Sequence, residues 1–98
     1  MDEIHFSWNA KKSASNFKKH GVSFDEAKTV FFDEFARLIL DPDHSDGEER
    51  FILMGLSSRL NLLTVCHCEI NENSIRIISA RKADKTERSQ YELSLIHI

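Results

Sequence analysis

"ERFILMGLSSRLNLLTVCHCEINENSIRIIS", residues 49–79, decides the fold. Residues 49–58 and 60–70 each carry a run of apolar and β-branched side chains long enough for a strand, and the polar residues Ser58 and Arg59 between them suit a tight turn. "SIRIIS", residues 74–79, supplies a third strand after the turn residues 71–73. Strands that follow one another through short turns pair antiparallel, so this stretch predicts a meander. "RLIL", residues 37–40, adds a brief strand before it, separated by the turn-rich "DPDHSDGE" at 41–48.

Upstream, "IHFSW" at 4–8 reads as a short opening strand, and Asn9 can cap a helix over "AKKSASNFKKH", with His20 in its last turn and Gly21 at a left-handed stop. Ala10, Ala14 and Phe17 share one side of that helix, and Lys11, Lys12, Lys18 and Lys19 lie around the other. "SFDE" at 23–26 is a capping box, with Ser23 as N-cap, Glu26 reaching back, and Val22 stapled to Ala27. The helix it opens is expected to run to about Phe32, burying Phe24, Ala27 and Phe31. Asp84 and Glu87 repeat the capping pattern, predicting a last helix from Lys85 with Arg88, Tyr91 and Leu95 along one side. The order strand, helix, helix, four strands, helix gives an α+β class: a mainly antiparallel sheet of four to five strands, with two N-terminal helices and one C-terminal helix segregated to one side.

With 98 residues and 41% hydrophobic content, one core and one domain are expected over 1–98, with 93–98 ("LSLIHI") as an apolar tail. The apolar runs fall short of the roughly 20 residues that a bilayer span needs, and "MDEIHFSW" has no signal-peptide pattern, so a soluble cytoplasmic protein with no membrane partner is expected. Charge is unevenly spread around a formal total of −3: +2 over residues 1–22, −6 over 23–50 and +1 over 51–98. A negative total is therefore compatible with a cationic cleft, because local fields follow local charges.

Several chemistries lack their signatures. In an extended strand Cys66 and Cys68 point one way and His67 the other, so the three cannot close on one ion, and the two thiols are badly spaced for a disulfide. Counting a calcium loop from Asp41 puts Gly47 seventh and Ile52 twelfth, where the EF-hand wants glycine sixth and glutamate twelfth. A solvated turn is the simpler reading there, with His44 or Glu48 as the residues that could exchange a proton. No G-x-S-x-G, Walker or dinucleotide fingerprint is present. What remains is a group of arginines at one end of the sheet. A guanidinium is permanently charged and forks onto two phosphate oxygens, so these side chains suit a phosphodiester. The competing reading is ion pairing, Arg76 with an acid such as Glu69 and Arg88 with Glu92.

Three segments together, "FSWNAKKSASNFKKHGVSF" (6–24), "DPDHSDGEERFILMG" (41–55) and "RIISARKADKTERSQY" (76–91), resemble the BrnT family of toxin–antitoxin ribonuclease toxins, which have a RelE-like fold. The pieces that carry the likeness are Trp8, Lys12, Asn16, Lys19-His20-Gly21-Val22 and Phe24, then His44-Ser45, Gly47-Glu48 and Arg50, then the run Arg76 to Arg81. Asn9 stands where many relatives have Asp, a change that keeps a capping side chain. The resemblance implies an endoribonuclease that needs no metal or other cofactor and stops translation by cutting RNA. It also implies a BrnA-type antitoxin with a ribbon-helix-helix domain, operator DNA being bound only through the toxin–antitoxin complex. Under it, Arg76, Arg81 and Arg59 would hold the phosphate, His67 and His20 would carry protons, and Tyr91 would stack on a base or position the backbone. Lys12, Lys19, Lys82 and Arg88 would bind the rest of the substrate. The acidic total favours ribosome-associated mRNA over free RNA. The alternatives within the same fold are a ParE-like gyrase inhibitor and a degenerate module that only binds antitoxin or represses its operon. One geometric condition follows: Arg76 and Arg81 are five apart, so an unbroken strand would aim them at opposite faces unless it ends or bulges near Ser79-Ala80.

Overall fold

The computed structural model describes residues 3–41 and 48–96, so His44, Ser45 and Gly47 lie outside the described residues. The elements are β1 (His5–Ser7), α1 (Ala10–His20), α2 (Phe24–Ala27) continued by a 3-10 turn (Lys28–Phe32), β2 (Arg37–Leu40), β3 (Phe51–Leu56), β4 (Leu62–Asn71), β5 (Ser74–Lys82) and α3 (Lys85–Ile96). They build one five-stranded sheet in the order β1-β5-β4-β3-β2. β2 to β5 pair antiparallel as the meander predicts, whereas β1 runs parallel to β5 along residues 74–76.

The caps follow the sequence closely. Asn9 Oδ1 accepts from the Lys12 amide at 3.1 Å, and Gly21 takes a φ of 71°, which only glycine adopts at no steric cost. Ser23 Oγ accepts from the Glu26 amide at 3.0 Å. The other half of that capping box is diverted: the buried Glu26 carboxylate accepts from Ser57 Oγ at 2.6 Å and Asn61 Nδ2 at 2.8 Å, tying α2 to the β3–β4 turn. The helix expected to reach Phe32 is α-helical only to Ala27. The following "TVFF" is β-branched and aromatic, a poor helix former, and the chain tightens into a 3-10 turn there.

Packing decides which side of α1 is buried and corrects one expectation, that the helices lie on one side of the sheet. On α1 the side bearing Ala10, Ala14 and Phe17 faces solvent, Phe17 being 58% exposed, and the buried residue is Asn16. Its amide donates to the carbonyls of Val22 at 2.9 Å and Ala80 at 2.8 Å, and its oxygen accepts from the Ala80 amide at 3.1 Å. β1 pairs with β5 only as far as Arg76, so Asn16 supplies the hydrogen bonds that a neighbouring strand would otherwise give Ala80. The helices also divide between the faces of the sheet. Val22, Phe24, Ala27 and Val30 pack on Leu53, Leu63, Val65, Ile77 and Ala80, while Tyr91 of α3 packs on Met54 and Leu62, which alternate to the other face. The tail residues 93–96 are the last turn of α3, with Leu93 58% and Ile96 73% exposed.

Asn16→Ala strips three buried backbone groups of their partners at once, so it is expected to lower stability by about 3 kcal/mol. Phe17→Ala, on the exposed side of the same helix, is expected to stay within about 0.5 kcal/mol of the parent. Urea denaturation of the two variants side by side checks the contrast; equal losses would mean that the packing of α1 is not as described.

Candidate active site on the open face of the sheet

β4 and β5 pair through Val65↔Ala80 and Cys66↔Ser79, then His67↔Ile77 and Cys68↔Arg76, so Ile78 is an extra residue in β5. This is a β-bulge, and it resets the alternation of side chains. Ile77 and Ala80, three apart, both face the core at 1% exposure. Arg76 and Arg81, five apart, are therefore both turned to the opposite face, across from Cys68 and Thr64. The geometric condition raised by the sequence is met, with the irregularity at Ile78, ahead of Ser79.

Among the described residues, that face is covered at one end by α3 and open at the other. Two adjacent hollows of about 310 Å³ each lie in the open part. One contains Arg76, Lys12 and Glu48; the other contains Arg81, Thr64, Cys66 and Ser79; Arg50 and Ile78 line both. A third hollow beside Cys68 is walled by Glu48, Glu49 and Glu69, a set that repels phosphate.

Each arginine carries a carboxylate. Arg76 Nη2 lies 2.5 Å from Glu48 Oε2, and Arg50 Nε lies 3.7 Å from Glu48 Oε1. Arg81 grips Glu87 with both nitrogens, at 2.7 and 2.9 Å. Glu87 also accepts from the Asp84 amide at 2.9 Å and donates its own amide to Asp84 Oδ1 at 2.8 Å, completing the predicted capping box of α3. The Cys68 thiol and the Arg76 guanidinium hold the Glu48 carboxyl below its ordinary range, and Arg81 does the same for Glu87. The partner of Arg76 is thus Glu48, brought in from the residues that lead into β3, in place of Glu69. Burial and Asp41 push the Cys66 thiol up to about 11, and burial with Glu48 pushes Cys68 up, so both thiols stay protonated at neutral pH. Among the described residues no group of three or more His, Cys, Asp or Glu side chains is arranged to hold a metal ion.

Of the residues singled out from sequence, Arg76, Arg81 and Lys12 come together. Arg59 sits at the exposed tip of the β3–β4 turn, Lys19 and His20 in the exposed last turn of α1, Lys82 at the end of β5, and Arg88 on the exposed side of α3; none lines either hollow. His67 is on the wrong side of the sheet to meet the arginines, 1% exposed between the rings of Phe31 and Phe51, because β4 alternation is unbroken through "VCHC". Tyr91 is 3% exposed, and its hydroxyl donates to Asp33 Oδ2 at 2.6 Å, so its ring is spent on packing α3. From sequence, Arg50 and Ser79 have no role of their own, and Glu48 is only a residue that could exchange a proton in a solvated turn; the place of Arg50 and Glu48 beside Arg76 depends on β3 pairing with β4.

Such a chain is a small α+β protein that gathers guanidinium groups on one face of an antiparallel sheet. It belongs to the family of BrnT ribonuclease toxins of type II toxin–antitoxin systems, whose family model matches residues 8–87. The crystal structure of the Brucella abortus ribonuclease toxin BrnT is similar in fold, with a TM-score of 0.63 and 21% identity over 84% of this chain and 99% of that one. Comparison with curated proteins gives no match. Among the described residues no helix is long and apolar enough to cross a membrane.

His67 gives this face-to-core division a measurable signature. Burial holds its imidazole below the ordinary value of 6.5, against the opposing pull of Glu69 at 3.9 Å. The unfolded chain takes up this proton as pH drops below about 6.5, while the folded chain resists it, so stability is full above that pH and declines below it. The denaturation midpoint is expected to fall between about pH 7 and pH 5.5, a window above the ordinary carboxylate range, and this fall is expected to be largely lost in His67→Phe. An unchanged pH dependence in that variant would place His67 in solvent.

Proposed function

We propose that this protein is an endoribonuclease that cuts RNA without a metal ion, inhibits translation, and is neutralised by a cognate antitoxin of the BrnA type with a ribbon-helix-helix domain. Operator DNA is engaged only by the toxin–antitoxin complex. The observation that carries the reading is the bulge at Ile78, which brings Arg76 and Arg81 to the same open face as Arg50 and Lys12.

The chemistry this face suits is attack of a ribose 2′-oxygen on the adjacent phosphorus. The 2′-O–P bond forms, the P–O5′ bond breaks with its electron pair leaving on O5′, a water molecule protonates that oxygen, and the products are a 2′,3′-cyclic phosphate and a 5′-hydroxyl. The crowded dianionic phosphorane is stabilised by positive charge, which the arginines supply once the substrate has taken the place of their carboxylate partners. Glu48 is the carboxylate on this face placed to accept the 2′-hydroxyl proton, since it already lies between Arg76 and Arg50 and stays ionised at neutral pH. Its pairing with Arg76 also means that RNA must displace a carboxylate from the guanidinium, which together with the net charge of −3 favours modest affinity and a ribosome-associated message as substrate.

Purified protein incubated with RNA in EDTA is expected to yield cyclic-phosphate ends, and Arg76→Ala or Arg81→Ala is expected to slow cleavage by about 10²–10³-fold. Intact RNA in the presence of ribosomes, together with inhibited gyrase supercoiling, would replace this reading with the ParE-like one.

A further inference from the structure

Arg76 and Arg81 share a face, but neither hollow contains both. Five residues of strand, less the bulge, separate their Cα atoms by roughly 13–16 Å. Each guanidinium already holds an anionic group of its own, Glu48 on Arg76 and Glu87 on Arg81, so the face presents two anion positions and not one. The residue between them is Arg50, which lines both hollows. Among the described residues its buried Nε has no hydrogen-bond partner, the Glu48 oxygen it faces being 3.7 Å away, while the side chain as a whole stays 26% exposed, so its charge is only loosely answered there and can reach a ligand.

We infer that the face is a two-phosphate track: Arg76 and Arg81 hold different phosphates of one RNA strand, and Arg50 is a third RNA-contacting arginine that bridges the two positions. The inference rests on the RNA reading above and deepens it by fixing the smallest ligand. A dinucleotide, with one internal phosphate, can fill only one hollow. A ligand with two or more phosphates fills both.

Uncleavable 2′-O-methyl oligonucleotides with one, two and three phosphates are the probe, with binding measured at several salt concentrations. Affinity is expected to rise about tenfold between the ligands with one and two phosphates. Arg81→Ala and Arg76→Ala are each expected to abolish that rise and to reduce the salt slope by about 0.7, the share of one phosphate contact on a single strand. Replacing a single phosphate by a neutral methylphosphonate is expected to hurt the parent and one arginine variant but not the other, with the affected linkage differing between Arg76→Ala and Arg81→Ala. Arg50→Lys, which keeps the charge and loses the fork, is expected to weaken binding to the two-phosphate ligand severalfold, and its unchanged thermal melt shows that the fold is intact. Equal affinity for one and two phosphates, or both arginine variants losing sensitivity to the same linkage, overturns the track. Either result leaves cleavage in EDTA standing as a separate question, and failure to cleave leaves the binding series to decide this one.

Discussion

The side chain of Asn16 makes the rest of the molecule possible. β5 must depart from regular alternation for its two arginines to share a face, and a strand that bulges while its outer neighbour stops at Arg76 leaves backbone groups without a partner. A primary amide has a donor and an acceptor side by side, the same pair that a neighbouring strand presents. Asn16 uses both on Ala80 and its second N–H on Val22, so one residue joins α1, the connection leading into α2 and the far end of β5. No apolar residue could do this, which explains why the most buried position of α1 is polar.

The electrostatics of the open face follow from the carboxylates that the arginines hold. Their charges are answered by Glu48 and Glu87, carboxylates that resemble a phosphate in offering paired oxygens. Both pairs are partly exposed, which keeps each worth little to stability and open to exchange with another anion. A fully buried pair would have been a structural strut.

The capping residues Asn9, Ser23 and Asp84, the turn at Ser58 and the strands of residues 37–79 were legible because each depends on side chains within a few positions of one another. Which side of α1 is buried was not legible, because helical spacing marks which residues share a face but not which face meets the sheet. Splitting the helices between two faces, pairing β1 in parallel with β5, and bringing Glu48 and Arg50 to Arg76 all depend on contacts between distant segments, and no local pattern encodes them. The bulge is intermediate. The need for one could be deduced from Arg76 and Arg81, but its position at Ile78 is set by the partners of β4. Histidine in "VCHC" invited a catalytic role, and strand alternation, which had already separated it from its cysteines, also separates it from the arginines.

Glu87 has two allegiances, since one of its oxygens serves both the Arg81 fork and the first backbone amide of the capping box at α3. An anion that draws Arg81 away removes the restraint that orients this carboxylate, and the start of the C-terminal helix loosens or tightens with it. The orientation of the Arg81 fork and the first turn of the terminal helix are consequently tied to one carboxylate, and by reciprocity a change at either is felt at the other.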